Sequence, residues 1–215
     1  AFVILGRSGT GKSVTLRHII GLVRPDSGRV FVRGEEISAL EGAELARVRR
    51  QIGFLFQGAA LFDSISVGEN VAFPLRRHTR LPEAEIRERV RQKLASVGLE
   101  ADYDKMPGDL SGGMRKRAGL ARAMALDPAI LLVDEPSAGL DPITSEEIDQ
   151  LLLETKERAG TTLVVVTHNI PSARKLGDQL VMLHGGRIIA VDPVEELEAS
   201  DEPMVRAFMA STHAG

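Results

Sequence analysis

Ala1-Phe-Val-Ile-Leu-Gly6-Arg-Ser-Gly-Thr-Gly-Lys12-Ser13-Val14 decides the fold. Residues 2–5 form an apolar run of strand length, the kind buried on both faces of a parallel sheet. The run meets Gly6-Arg7-Ser8-Gly9-Thr10-Gly11, where three glycines let the backbone fold tightly enough for several N–H groups to face one anion. A helix is expected from 12 to about 23, stopped by Arg24-Pro-Asp-Ser-Gly28, and its positive end adds to those donors. The spacing G-x-x-x-x-G-K-S between strand and helix is that of a phosphate-binding loop. Gly6, Arg7, Ser8, Gly9, Thr10, Gly11, Lys12, Ser13 and Val14 are therefore the expected nucleotide site. In it Lys12 reaches the β- and γ-phosphates and the Ser13 hydroxyl ligates Mg²⁺.

Outward from that loop the chain alternates in character. A short strand is expected over 29–33, with Val30 and Val32 on one face and a turn at Gly34. Ser38 is expected to cap a helix ending near Arg50, and 52–56 reads as another strand. From 57 to 127 the pattern turns helical: Pro82 begins a helix with Ile86, Val90, Leu94 and Val97 on one stripe, and a second helix follows Ser111. Strands return at 129–133, 161–167 and 179–183. The expected architecture is α/β: a mostly parallel sheet flanked by helices, built from 1–56 and 128–215. An inserted helical part spans 57–127, and a partial antiparallel β part accompanies the core. The chain opens inside a strand with no polar lead-in, so further N-terminal strands are expected to precede it.

The 215 residues are 43% hydrophobic and 27% charged, ordinary for a globular domain. A net charge of −3 gives no reason to expect nucleic acid as a direct partner, and the absence of cysteine excludes a disulfide framework or a thiolate metal site. The longest apolar runs, 130–133 and 163–166, are strand-sized, far below the roughly 18 residues of a membrane helix.

Ile130-Leu-Leu-Val-Asp134-Glu135 places two carboxylates at the carboxyl end of a buried strand, where open parallel sheets bind ligands. Asp134 there can hold Mg²⁺, and Glu135 can orient and polarise the attacking water of a hydrolysis. Gln57, at the hinge into the helical part, could touch Mg²⁺ or the water. His168 ends the 161–167 strand and is placed to sense a γ-phosphate, whereas His18, His78, His184 and His213 have no such support.

Ser111, in Leu110-Ser-Gly-Gly-Met114, opens a helix either as an ordinary N-cap or, with Gly112 and Gly113, as a second anion site. The second reading needs a γ-phosphate delivered from elsewhere, hence two chains packed head to tail. The following Arg115-Lys116-Arg117 reads as a solvated helix face rather than a phosphate clamp.

These motifs, in this order, with Ser137-Ala-Gly-Leu-Asp141 and Val166-Thr-His168, resemble the nucleotide-binding subunits of ATP-binding-cassette transporters over nearly the whole chain. The resemblance implies an ATPase that uses ATP and Mg²⁺, with two ATP molecules sandwiched between two copies. Ser111 of one copy would meet the phosphate held by Lys12 of the other, and Asp141 would lie in a loop crossing between them. It also implies an integral membrane permease as partner. The subunit would then sit at the cytoplasmic face of the bacterial inner membrane, peripheral through that permease.

A narrower resemblance, to the Mla/Mce-type lipid transporters of bacteria, rests on 56–67, on 69–75, on Met114 in place of the usual Gln, on 141–144 and on 203–208. It implies phospholipid movement, with an MCE-domain substrate-binding protein and often a STAS-domain subunit as further partners. The family meets its permease after Gln57. There Phe54 and Phe56 read as core, while Phe62 and Phe73 suit a docking groove. Tyr103 does not match the family's upstream adenine-stacking aromatic, so no adenine platform is assigned. A cassette for another substrate is the alternative. A soluble cassette acting on DNA or ribosomes is a poorer fit, because no long coiled coil, second cassette or zinc cysteines are present.

Overall fold

The computed structural model describes residues 1–210. In chain order the strands are β1 (Phe2–Leu5), β2 (Phe31–Val32), β3 (Glu35–Glu36), β4 (Ile52–Leu55), β5 (Ile130–Asp134), β6 (Thr162–Thr167), β7 (Gln179–His184) and β8 (Arg187–Asp192). Six of them form one sheet in the order β4-β5-β6-β1-β7-β8; the first five are parallel and β8 runs antiparallel to β7 at the edge. β2 and β3 make a separate antiparallel hairpin. The fold is thus the mixed, mostly parallel α/β sheet expected, with a small antiparallel component.

Strand residues alternate between two cores. Val3 and Leu5 of β1, Leu131 and Val133 of β5, and Leu163 and Val165 of β6 pack on one face of the sheet. Ile4, Leu132 and Val166 pack on the other, with Leu16 and Val48. Each fully buried side chain of this size contributes about 1.5–3 kcal/mol of transfer free energy, so both faces must be covered.

α1 (Lys12–Ile19) and α2 (Gly42–Arg49) cover the second face. Helices α5 (Gly112–Ala123), α6 (Pro142–Ala159) and α7 (Ile170–Leu176) contribute Leu120, Leu152 and Ala173 to the first core. So do α3 (Val67–His78) and α4 (Glu83–Ala95), which lie between β4 and β5 in sequence, and α8 (Val194–Glu198) and α9 (Pro203–Ala210) near the end of the described chain. No helix among the described residues is long and apolar enough to cross a membrane.

Three local expectations need correction. α1 stops at Ile19 rather than near Val23, because Gly21 takes a left-handed φ of 71°. Its N–H donates to the His18 carbonyl and that of Leu22 to the Arg17 carbonyl, the paired bonds of a Schellman cap. Ser38 does not cap α2; its hydroxyl accepts the Val30 N–H at 2.6 Å and braces the β2–β3 hairpin, while Glu41 occupies the cap position. β8 was not anticipated, although its signal was present: Gly185 and Gly186, both at positive φ, form a two-residue turn of the type that closes a hairpin.

Between β4 and β5, Asn70 on α3 is fully buried and organises the preceding loop. It accepts the Phe62 N–H and donates to the carbonyls of Phe62, Ile65 and Ser66. Tyr103 packs its ring against Gly68, where a Cβ would lie 2.4 Å from it, so only glycine fits at the α3 N-terminus.

Candidate functional site

The carboxyl ends of three adjacent strands, β5, β6 and β1, bring the site together. The glycine-rich loop leaves β1 at Gly6, which must lack a side chain: a Cβ would stand 2.6 Å from the Leu183 carbonyl oxygen of β7. Gly9 and Gly11 hold φ of 80° and 99° to bring the loop back toward α1. Thr10 ties the turn by donating from its hydroxyl to the Arg7 carbonyl at 2.8 Å. Arg7, Ser8, Gly9 and Val14 are exposed.

Lys12 is 6% exposed, and its ammonium lies against the loop itself. It donates to the carbonyls of Gly6 at 2.8 Å and Arg7 at 3.1 Å and lies 3.5 Å from Glu135 Oε1. The neighbouring Ser13 hydroxyl donates to Asp134 Oδ1 at 2.7 Å, joining the start of α1 to the end of β5.

Glu135 follows β5 with a left-handed φ of 47°, a strained state for a residue with a side chain. Its N–H donates to the Val166 carbonyl at 2.9 Å. Glu135 Oε2 meets His168 Nδ1 at 2.9 Å and accepts the Thr167 hydroxyl at 3.2 Å and the His168 N–H at 3.3 Å. Thr167, fully buried, accepts the Asn169 N–H in turn, and Asn169 caps α7 through the Ser172 N–H. Lys12, Ser13, Asp134, Glu135 and His168 are thus one constellation.

Five predicted residues, Gln57, Ser111, Gly112, Gly113 and Asp141, stand apart from it. Gln57 is exposed, and among the described residues its side chain makes no hydrogen bond with Ser13 or Asp134. Ser111 caps α5 by accepting the Met114 N–H at 3.2 Å and bonds no residue of the loop. Its glycines pack within the chain: a Cβ on Gly113 would lie 2.5 Å from Thr144 Cγ2, and one on Gly112 3.3 Å from Leu140 Cδ2. Asp141 caps α6, accepting the N–H groups of Ile143 and Thr144 and the Thr144 hydroxyl. Those bonds hold its carboxyl below the usual carboxylate range.

The reading of 115–117 as a solvated face is wrong at its centre. Arg117 pairs with Glu147 at the surface, but Lys116 is only 5% exposed and donates to the carbonyls of Gln57 and Glu135. Burial pushes its ammonium below the usual lysine range, against the opposing pull of Asp134 and Glu135. The helical period carried the signal: Lys116 falls on the buried stripe with Gly113 and Leu120, three before and four after. Thr167 was also missed as a partner of Glu135.

A groove of about 560 Å³ opens beside β4. Phe54 is buried in its floor, and Phe56 stacks on it with ring centroids 4.1 Å apart. Phe62 and Phe73, 45% and 49% exposed, lean together at 5.0 Å on its wall. Of the other histidines, His18 bonds the Val23 carbonyl, His78 lines this groove, His184 ends β7, and His213 lies outside the described residues. Tyr103 packs against Gly68 at the start of α3, at the margin of the larger core.

The profile described as ABC transporter matches residues 1–138. A Mycobacterium tuberculosis protein named probable ribonucleotide transport ATP-binding protein mkl is 48% identical over 213 residues, 99% of this chain. The chain spans only 59% of that relative's length. The intermembrane phospholipid transport system ATP-binding protein MlaF of Escherichia coli K12 is 42% identical over 206 residues, 96% of this chain and 77% of MlaF. Among solved structures, a dimeric ATP-binding cassette in a post-hydrolysis state with ADP and phosphate superposes with a TM-score of 0.83 at 37% identity, covering 90% of this chain and 84% of that one.

Proposed function

The chain belongs to the ABC transporter family, and from that premise we propose that it hydrolyses ATP as one of two head-to-tail cassettes driving a lipid-moving membrane permease. The observation that carries the hydrolytic reading is the convergence of Lys12, the Ser13–Asp134 pair and the Glu135–His168 pair on three adjacent strand ends. Lys12 supplies a cation beside the glycine loop for the β- and γ-phosphates. Glu135, oriented by the His168 ring and the Thr167 hydroxyl, polarises the water that attacks the γ-phosphorus; the terminal phosphoryl group leaves as phosphate and ADP remains. His168 also lies where it can follow the γ-phosphate.

The Ser13 hydroxyl and Asp134 carboxylate are hard oxygen donors already within 2.7 Å of each other, a donor set that suits Mg²⁺, with Gln57 as a further oxygen. When bound, the ion neutralises charge on the β- and γ-phosphate oxygens. Ser111, Gly112 and Gly113 of a second copy complete each site from across the pair, and Asp141 lies in the loop between the sites.

Residues 57–127 act as the lobe that meets the permease, through the groove of Phe62 and Phe73, and 1–56 with 128–215 form the ATPase core. The subunit works at the cytoplasmic face of the bacterial inner membrane, held there by the permease, with an MCE-domain protein and a STAS-domain subunit as further components. Lipid as cargo is supported by the likeness to MlaF and by Met114 after the glycine pair. A permease for another solute is the second reading, favoured by the name of the mycobacterial relative, a probable ribonucleotide transport protein.

The test is co-purification with the products of neighbouring genes. Recovery with a permease and an MCE-domain protein supports lipid transport. A permease without that protein keeps the motor and discards the lipid. Recovery with ribosomes or DNA and no membrane subunit overturns the transporter reading.

A further inference from the structure

α5 grips the loop after β4 with two cations. Lys116 Nζ donates to the Gln57 carbonyl and, at 3.1 Å, to the Glu135 carbonyl. Six residues on, roughly 9 Å along the helix, Arg122 donates to the carbonyls of Ala60 at 2.6 Å and Ala59 at 2.7 Å. Between them Gly119 lets the helix approach closely: a Cβ there would stand 3.0 Å from Ala59 Cβ and from Leu55 Cδ1. Ala59 and Ala60 both hold left-handed backbone, φ 62° and 50°. Such conformations cost on the order of 1–3 kcal/mol each and persist only where the surroundings over-determine them. Here the fork of Arg122 on their two carbonyls and the Ala59 N–H bond to the Phe56 carbonyl brace them.

Glu135 is strained in the same way, with its N–H on Val166 and its carbonyl shared by the Lys116 ammonium and the Ala138 N–H. The direction of its side chain follows from that backbone state. If the carbonyl loses the ammonium and keeps only the Ala138 N–H at 3.2 Å, the residue can relax out of φ 47° toward the regions that side-chain-bearing residues favour, and its carboxylate turns away from Lys12 and His168. The same ammonium holds the Gln57 carbonyl, one residue past the Phe56 that lines the groove.

We propose that Lys116 is a positioning residue for hydrolysis, a buried ammonium that fixes the Glu135 main chain and couples it to the loop bordering the groove. The proposal rests on the reading of Glu135 as the residue that orients the attacking water. Packing alone would make a different demand: any substitution that filled the space would serve, and losses would appear in folding and nucleotide binding together.

The experiment measures steady-state ATPase of the full chain per nucleotide-binding site, the sites counted by titration with a fluorescent ATP analogue. Lys116→Met keeps the length and removes the charge; kcat is expected to fall about tenfold, with KM within about twofold. Lys116→Arg keeps a cation with reach for both carbonyls and is expected to recover to within about threefold of the unaltered protein. Lys116→Gln, a neutral donor, serves if the methionine variant fails to fold, and is expected to fall between the two. Unaltered kcat in the methionine or glutamine variant overturns the proposal. So does a loss in which binding and kcat fall together and arginine does no better than methionine. Unaltered turnover in Glu135→Gln overturns the reading of Glu135 and this inference with it, whereas loss there beside an active Lys116→Met overturns the inference alone.

Discussion

The two regions proposed to meet phosphate are built on opposite plans. At the ends of β1, β5 and β6, Lys12, Ser13, Asp134, Glu135 and His168 hold one another through bonds within a single chain. At the N-terminus of α5, Ser111 spends its hydroxyl on its own helix, and Gly112 and Gly113 are backed by Leu140 and Thr144. The first region ties the start of α1 to the ends of β5 and β6, and the glycines of the second are backed by Leu140 and by Thr144 of α6. The first region fixes its residues against one another within one chain, whereas a braced but open helix end is suited to contact from another molecule.

The sharpest way to break this contrast is to ask whether the two regions work in trans. Ser111→Arg is expected to abolish hydrolysis while leaving nucleotide binding by the isolated chain unchanged. Mixed with Lys12→Ala, it should regain activity, because one of the two composite sites in a mixed pair is then intact. Absence of recovery, with each variant folded and mixed pairs shown to form, would place both regions in one chain's site.

Next in size is Glu135→Gln, expected to lower kcat on the order of 10²–10³-fold, the scale of losing a transition-state partner. Binding should persist and the ATP-bound pair should accumulate on size-exclusion chromatography. Turnover at the unaltered rate would remove Glu135 from the chemistry.

Thr167→Val sharpens the first region. It deletes the hydroxyl that donates to Glu135 and accepts the Asn169 N–H. A fall of about tenfold in kcat is expected, with a stability loss of roughly 1–3 kcal/mol for the orphaned N–H by denaturant titration. A loss of stability alone would make Thr167 a brace of α7 only.

The smallest effect concerns Asp149 on α6, 3% exposed, with Oδ1 lacking a hydrogen-bond partner among the described residues. Burial pushes its carboxyl above the usual range, against smaller pulls from Ser172 and Lys175. The folded chain then binds this proton more tightly than the unfolded chain. Its contribution to stability is full below the ordinary carboxylate pKa and is lost as pH rises through the raised folded value. Asp149→Asn should therefore raise the melting temperature at pH 7 by about 2–4 °C, the scale of 1 kcal/mol in a chain this long. The gain should fade as pH drops toward about 4. A gain that persists there would assign the effect to packing.

The half of the machinery carried by local spacing was legible in the sequence. The strand, glycine turn and helix at 2–19, and the apolar run ending in Asp134-Glu135, reveal themselves because each motif's residues are neighbours in the chain. What lay hidden depends on contacts made across long sequence separations. Ser38 looks like a helix cap until Val30 is known to need an acceptor. Lys116 looks solvated because two arginines flank it, yet successive helix positions point about 100° apart and one of three must face inward. Thr167 is one more β-branched strand residue until Glu135 arrives from β5. The pairing of Ser111 with a second copy is likewise a statement about another molecule, which one chain's pattern can suggest and only association can test.

Asn70 has a consequence for kinetics. Its carboxamide ties down four backbone groups of the segment from Phe62 to Ser66 before any partner arrives. The Phe62 side of the aromatic wall beside β4 is therefore preformed, and if the wall is the docking groove proposed above it need not order on contact. A ligand helix or loop that fits it meets little entropic resistance from this side. Encounter rates should then vary little among partners, and their affinities should be set by how long each one stays.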